Sequence, residues 1–524
     1  MTSNPPMAPM AVNLRRLFPS ASYVGCGDIR VTTASSDSRD CAAGSLFAAL
    51  RGPEQDGHAY IADAVHNGAK SLLVEWPQAD VRVPQCVVRN TRKAYAELTA
   101  ALAGDPSRWM QLVGITGTNG KTTISWLVRS ILQNAGRQCG LLGTIEYHDG
   151  LSRESSRLTT PDARTLSNWL QRMIRQRTGY AAMEISSHAL EQDRVAGTWL
   201  DVAVISNITQ DHLDYHGTFE AYKSSKLRIF ERLKTSGLAV LNADDPMSFS
   251  CRSAAPHRVR TYGIEAPADF SAEILEENTR GSRFVLKTGS DEIEIHTPLI
   301  GRHNVSNCLA AVAATEFLGL TLEQGAQGIE ALTGVPGRME RIQMGQPFDV
   351  FVDYAHTDDA LRRAITGLQQ LTIGRVIVVY GAGGDRDRSK RPLMGKAGGT
   401  ADLVIVTSDN PRSEDPRAII DEILKGYDDC MPTPIVEVDR EQAIIRALRE
   451  AGPDDCVLIA GKGHESIQII GNEGIVFDDR EVVRRNLARL RLAEVSQLAG
   501  AAAFGGDSTT HKLHWNQGDH FHGL

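Results

Sequence analysis

The chain has 524 residues, 42% hydrophobic and 23% charged, the composition of a globular protein with room for about three domains. With 56 Lys and Arg against 64 Asp and Glu, the formal net charge is −8, which argues against a general nucleic-acid or anionic-membrane binder. No apolar run approaches the ~20 residues of a membrane span, residues 1–10 lack the pattern of a signal peptide, and eight cysteines scattered without a CxxC pair suit free thiols in a reducing cytoplasm better than a zinc site or a disulfide framework.

Residues 13–106 read as a first unit. Short apolar runs such as Leu72-Leu73-Val74 alternate there with helical stretches such as 92–103. Asp105-Pro106 marks its end, because a residue before proline leaves the helical region. A second unit opens with the apolar strand 112–115, which runs into the glycine loop Gly117, Thr118, Asn119, Gly120, Lys121, Thr122, Thr123. Residues 124–135 then form a helix with Leu127, Ile131 and Leu132 on one face. Strands follow at 180–185, 202–205 and 238–241, with a helix over 220–233, an Ala-rich helix over 304–317 and a turn at Gly334-Val335-Pro336-Gly337. The third unit has strands at 349–353, 376–380, 403–407 and 456–459 and helices at 359–371, 416–427 and 440–451, the alternation of a doubly wound sheet. From about Gly500 the chain turns polar and His-rich (His511, His514, His520, His522); this tail is expected to be disordered, with any metal binding adventitious.

Strand, glycine loop and helix in succession make an anion site. Exposed N–H groups and the helix dipole favour phosphate. Lys121 reaches the β- and γ-phosphates, and the Thr122 hydroxyl sits on Mg²⁺. The register departs from the general P-loop, since the glycines fall at 114 and 117 and position 115 is Ile. The loop alone does not separate a ligase from a GTPase, a kinase or a motor. Glu184, at the end of an apolar strand, reads equally as a Mg²⁺ ligand or as a cap of the next helix. His212 lies in a polar segment after another strand and can be a ligand or a structural histidine; Lys226, taken alone, reads as a solvated surface lysine. In the third unit, Arg386, then Asp409, Asn410, Pro411 and Arg412, then Gly461 and Glu465 follow three strands whose ends should converge. Arginines that grip carboxylates and acids that hold ammonium groups suit a zwitterionic amino acid; the alternative is a salt-bridge network between loops.

Taken together, GTNGKTT (117–123), MEISSH (183–188), DHLDYH (211–216), DYAHT (353–357), GGDRDRSKRPLM (383–394), DNPR (409–412) and GKGHE (461–465) resemble the Mur ligases of bacterial cell-wall synthesis, over roughly residues 13–495. The resemblance implies an α/β fold in three domains, with a central P-loop ATPase parallel sheet and a C-terminal Rossmann-like sheet. The domains implied are a UDP-substrate-binding part at 13–108, an ATP-binding ligase domain at 109–344, an amino-acid-binding domain at 345–497 and a tail at 498–524. It implies that Ser36 and Ser38 contact the UDP moiety, and that Thr159, Thr160, Ser186, Gln192 and Arg194 hold the muramoyl dipeptide. It further implies nucleotide contacts from Asn304 and Arg338, and a Mg²⁺ site from Thr122, Glu184, His212 and a carbamylated Lys226. Arg386, Asp409, Asn410, Pro411, Arg412, Gly461 and Glu465 match a diaminopimelate pocket. DNPR is the form found in diaminopimelate-adding members. The far carboxylate of meso-diaminopimelate can pair with Arg412, whereas lysine would leave that arginine unpaired.

The expected activity is therefore ATP-dependent amide formation. Meso-diaminopimelate joins the D-Glu γ-carboxylate of UDP-N-acetylmuramoyl-L-alanyl-D-glutamate through an acyl phosphate, with Lys121, Glu184, His212 and Lys226 as the catalytic set. The expected partners are these two substrates and ATP, with no nucleic acid, for a cytoplasmic monomer. The competing readings are another ligase of the same superfamily, such as a folylpolyglutamate synthetase or the next Mur ligase, and a P-loop nucleotide switch that makes no amide.

Overall fold

The computed structural model describes residues 11–52, 55–255 and 258–503. Residues 1–10, Pro53 and Glu54, and the histidines of the tail lie outside the described residues. The chain divides into two compact units, one built from residues up to 340 with 366–372, the other from 341–365 and 373 onward.

The first unit holds two main sheets. In the smaller, the strand order is Ser22–Val24, Gln85–Val87, Ser71–Val74, Leu46–Ala48, Ala34–Ser35, parallel except for the first pair. Helix Thr91–Leu102 starts where the Asn90 side chain accepts a hydrogen bond from Lys93 N at 3.0 Å. It joins the larger sheet's layer through Thr99 Oγ1, which donates to Ala163 O at 3.3 Å. The sequence boundary near residue 108 is thus a boundary between sheets inside one compact unit.

The larger sheet has eleven strands. Its parallel centre runs Cys139–Leu142, Tyr180–Glu184, Gln111–Thr116, Leu200–Ile205, Leu233–Asn242, Val259–Gly263, Phe270–Asn278. Antiparallel strands extend both edges: Glu146–His148 and Arg153–Ser155 on one side, Gly281–Thr288 and Asp291–Thr297 on the other. The expected central parallel sheet is present, and it carries antiparallel additions that the alternating strand–helix pattern did not announce. The P-loop strand Gln111–Thr116 lies between Tyr180–Glu184 and Leu200–Ile205, in parallel register with both. The segments leaving these three strands therefore start side by side at one end of the sheet.

Helix Lys121–Asn134 buries Ile124, Leu127, Val128, Ile131 and Leu132 completely. It is covered by Arg302–Phe317, whose alanines allow burial around most of its circumference, and by Leu322–Glu330. The last contact is very close. A Cβ at Gly328 would lie 2.3 Å from Ile131 Cα, and Ser130 Oγ donates to Gly328 O at 2.7 Å. The helix expected over 220–233 is shorter: Phe219–Leu227 is α-helical, Arg228–Arg232 is a 3₁₀ turn, and strand Leu233–Asn242 begins at once. Leu233, expected on the helix, instead pairs with Leu200 where two central strands begin, and is buried there.

The second unit is built on five parallel strands in the order Asp349–Asp353, Cys456–Ala460, Val376–Tyr380, Leu403–Val406, Ile435–Val436. Val376–Tyr380 and Cys456–Ala460 are buried throughout, as strands covered on both faces must be. The helix expected to reach 427 ends at Leu424. Helix Asp479–Ala503 runs past 498, so the first residues assigned to a disordered tail are helical. Among the described residues, no helix is long and apolar enough to cross a membrane.

Gly328→Val should lower unfolding stability by about 1–3 kcal/mol, because the helix can only accept a side chain by backing away from Ile131. Urea denaturation followed by circular dichroism measures this; an unchanged midpoint would contradict the close packing.

Candidate active site

The glycine loop is held from below before any ligand is considered. Thr118 N donates to Asn207 O at 2.8 Å and Asn119 N to Asn207 Oδ1 at 2.9 Å. Gly117 is at φ +146 with no room for a side chain, since a Cβ would lie 1.9 Å from Ser206 Oγ. Gly120, at φ +86, closes the loop, and its missing Cβ would lie 2.5 Å from Asn307 Oδ1. Asn307 Nδ2 donates to Asn304 Oδ1 at 3.0 Å, so Asn304, anchored on Ile300 O at 2.8 Å, reaches the loop through Asn307.

Lys121 folds back so that Nζ donates to Gly117 O and Thr118 O, both at 2.8 Å. Burial lowers its pKa, and the charge of Glu184 works against that shift. Glu184 is fully buried. Its Oε2 accepts from Thr122 Oγ1 and Thr144 Oγ1, and its Oε1 from Thr144 N, all at 2.9 Å. Arg338 Nη2 lies 3.4 Å from Thr122 Oγ1. Lys121, Thr122, Glu184 and Arg338, separated by over 200 residues, are therefore one cluster. Thr144 belongs to it as well, and nothing in its sequence neighbourhood marks it.

Lys226 corrects the reading of a surface lysine. It is 1% exposed, and its Nζ donates to Gly117 O at 2.8 Å, the same carbonyl that Lys121 grips. It also lies 4.5 Å from the centre of the Tyr222 ring. Burial drives its pKa well below the ordinary lysine value, and the neighbouring Lys121 charge adds to the shift. Tyr222 is itself fully buried and bonds Thr118 Oγ1 at 3.0 Å.

His212 caps the short helix Leu213–His216 in the left-handed backbone region, at φ +51. Its ring lies 5.0 Å from that of His188 and 6.3 Å from that of Tyr222. Among the described residues no group of three His, Cys, Asp or Glu side chains is placed to hold a metal ion. Thr122 and Glu184 nevertheless offer two oxygens 2.9 Å apart, the donor type a hard cation takes.

A second group lies against the first. Thr160 Oγ1 donates to Glu184 O at 2.9 Å and accepts from Ser186 N at 3.0 Å. Thr159 Oγ1 is 3.1 Å from Thr144 Oγ1. Arg194 grips Gln192 Oε1 at 2.6 and 3.0 Å and reaches Thr160 O at 3.1 Å, while Gln192 Nε2 donates to Tyr215 OH at 2.9 Å. Ser36 and Ser38 lie after strand Ala34–Ser35 of the smaller sheet. There Ser36 bonds Tyr95, whose pKa burial pushes up to about 12, and Ser38 O accepts from Asn67 Nδ2 at 3.0 Å.

The second unit, taken by itself, brings its three loops together. Gly384 N donates to Asn410 O at 2.9 Å, and Arg412 Nη1 donates to Gly384 O at 2.7 Å. Asn410 Nδ2 donates to Glu465 Oε2 at 3.0 Å. A Cβ at Gly461 would lie 2.7 Å from Asp409 Oδ2. That oxygen is buried and has no hydrogen-bond partner among the described residues. Pro411 is buried, while Arg386 is exposed and its Nη1 donates to Asp385 O at 3.3 Å. Asp385 and Arg412 adopt left-handed backbone, at φ +52 and +50, an uncommon conformation that tends to gather at functional loops.

Beneath these loops are three buried cations that the sequence reading did not use. Arg391 bridges Glu414 and Glu422 at 2.7–2.9 Å. Arg440 pairs with Asp479 at 2.8 Å, both fully buried, and donates to Ser408 O and Ala460 O, the residues just before Asp409 and Gly461. Lys462 is the third. Arg391 and Lys462 lie inside quoted motifs, so their positions were visible and their burial was not.

Comparison with known proteins follows the same division. Family models match at residues 30–102 (Mur ligase family, catalytic domain), 115–315 (Mur ligase middle domain) and 337–463 (Mur ligase, glutamate ligase domain). The chain is 42% identical to a UDP-N-acetylmuramoyl-L-alanyl-D-glutamate–2,6-diaminopimelate ligase of Bacillus licheniformis over 479 residues, covering 90% of this chain and 97% of that protein. It is 44% identical to the enzyme of the same name from Gloeobacter violaceus over 469 residues, covering 88% and 95%. A solved structure bearing that name superposes with a TM-score of 0.68 at 33% identity, over 92% of this chain and all of that one.

One consequence is electrostatic. Hydrogen bonds from Arg391 lower the Glu414 pKa to about 2. A depressed carboxylate contributes stability above its ordinary value of 4.5 and loses it as pH falls toward 2. Arg391→Met should therefore have a lower Tm than the parent at pH 6, with the gap narrowing between pH 4.5 and 2. Differential scanning calorimetry across that range checks it; a constant gap would contradict the pairing.

Proposed function

The chain belongs to the Mur ligase family, and from that membership we propose that it is an ATP-dependent ligase that adds 2,6-diaminopimelate to UDP-N-acetylmuramoyl-L-alanyl-D-glutamate. The observation that carries this reading is the pairing of a P-loop and buried carboxylate with a second set of loops bearing arginines and acids, in a chain that spans 97% of a relative so named.

Chemistry explains why both halves are needed. A carboxylate is a poor electrophile and an ammonium has no lone pair, so the two do not condense at neutral pH. In the proposed sequence, the γ-carboxylate oxygen of the D-glutamate attacks the γ-phosphorus of ATP. The bond to the bridging oxygen breaks, ADP leaves and an acyl phosphate forms. The neutral amine of diaminopimelate then attacks the acyl carbon. Phosphate departs and the nitrogen loses a proton, leaving the amide.

Gly117, Thr118, Asn119, Gly120, Lys121, Thr122 and Thr123, with Asn304 and Arg338, are assigned to ATP. Lys121 and Arg338 offset charge on the transferring phosphoryl group. Thr122 and Glu184 fit a Mg²⁺, which when bound neutralises phosphate charge. Lys226 joins that set only once its amine carries a carbamate, since as an ammonium it donates to Gly117 O. His212 is assigned to the same set from its place in the DHLDYH motif alone. Thr159, Thr160, Ser186, Gln192 and Arg194 are assigned to the muramoyl dipeptide, and Ser36 and Ser38 to its UDP end.

Arg386, Asp409, Asn410, Pro411, Arg412, Gly461 and Glu465 are assigned to diaminopimelate. Support comes from Asp409 Oδ2, a buried acceptor without a donor among the described residues, which an incoming ammonium would satisfy. Fixing the amine against the acyl carbon can lower the barrier by ~7–11 kcal/mol. The reading places the enzyme in the cytoplasm as a monomer, and its eight free cysteines suit that compartment.

Phosphate release should require both the UDP-muramoyl dipeptide and diaminopimelate, and an amino-acid panel should single out diaminopimelate over lysine. ATP turnover indifferent to both substrates would instead indicate a nucleotide switch. Arg412→Ala should raise the KM for diaminopimelate about 10- to 100-fold, the value of a charge-assisted hydrogen bond, and leave the KM for ATP within about twofold. Equal losses on both would refute the pocket assignment.

A further inference from the structure

Lys462 exposes none of its side chain. An ammonium withdrawn from water is costly unless its donors are met, and here they are. Nζ donates to Asn410 Oδ1 at 3.1 Å, to Glu465 Oε2 at 3.1 Å and to Ile467 O at 2.7 Å. Asn410 closes a triangle, because its Nδ2 donates to the same Glu465 Oε2 at 3.0 Å. The same Asn410 Oδ1 also accepts from Ile469 N at 2.9 Å. One buried cation thus ties the loop after Leu403–Val406 to the loop after Cys456–Ala460.

Both bonds to Glu465 fall on Oε2, and Oε1 carries neither. Glu465 is about one-third exposed, so a carboxylate held through one oxygen keeps part of its surface open. Replacing that lock with mobility would cost binding, since an unfixed carboxylate must be ordered each time a ligand arrives.

We propose that Lys462 is a positioning residue for the amino-acid substrate: it holds Asn410 and Glu465 in the orientation that receives the amino acid, without touching the substrate itself. The inference rests on the assignment of Asn410 and Glu465 to that substrate. Its alternative is a purely structural anchor for the hairpin Ile467–Ile470 and Glu473–Val476, through the bond to Ile467 O.

A double-mutant cycle separates the two. Lys462→Met should raise the KM for diaminopimelate by about tenfold or more and leave the KM values for ATP and the UDP-muramoyl dipeptide within about twofold. Glu465→Gln should do likewise. In the double variant the losses should fall short of multiplying, because Lys462 acts in part through Glu465. Lys462→Gln, which keeps a neutral donor, should fall between parent and Lys462→Met. Losses that multiply in the double variant, a uniform loss for all three substrates, an unchanged KM, or failure of both Lys462 variants to fold would each overturn the proposal. The parent enzyme's amino-acid panel tests the functional reading separately. If it selected a different amino acid, the same cycle read with that amino acid would decide the role of Lys462.

Discussion

The first unit is organised around one buried carboxylate. Glu184 lies at the end of a central parallel strand with no exposed surface. An ionised carboxylate in that position is tolerated only if its oxygens are satisfied. Thr122 and Thr144 supply three donors between them. This demand fixes the start of the P-loop helix, where Thr122 sits, against the segment after strand Cys139–Leu142, where Thr144 sits. It also forbids a side chain at Gly143, whose Cβ would lie 2.2 Å from Glu184 Oε1. The backbone carbonyl of the same residue holds Thr160. Thr122 and Thr160 are therefore registered to one another through a single amino acid.

The second unit uses the opposite sign. Its loops stand on the buried cations Arg391, Arg440 and Lys462, each neutralised by acids. Buried ion pairs contribute little net stability, since desolvation offsets most of the attraction. They do impose direction. Arg440 bonds the carbonyls preceding Asp409 and Gly461, so two loops cannot drift apart without stranding a guanidinium. The rigidity needed to present Asp409, Arg412 and Glu465 follows from these pairings.

Local signals made much of this legible. The strand–loop–helix at 111–134 and the buried strands of the second unit were readable because an apolar run next to glycine has few alternatives. The antiparallel strands over 270–297 were not, since Glu273, Glu276, Glu292 and Glu294 give them the polarity of loops. Lys226 was misread alone for a similar reason. Helix Phe219–Leu227 has no apolar stripe, and the residues it buries are Tyr222, Ser225 and Lys226. Thr144 was invisible because its role comes from a contact 40 residues away. Motif order supplied what pattern could not, by naming positions whose burial only three dimensions reveal.

Charge balance connects these observations. Two ammonium groups, Lys121 and Lys226, donate to the single carbonyl of Gly117 at 2.8 Å each. Like charges so close in a buried site repel, and the Lys121 charge adds to the burial that lowers the Lys226 pKa. With Arg338, the two lysines lie in the field of the carboxylates of Glu184 and Asp211. A loop whose backbone N–H groups already favour anions is thus lined by basic side chains, Lys226 buried and Lys121 and Arg338 half-buried. A phosphate chain would relieve that repulsion, and so would any change that turned Lys226 from a cation into an anion.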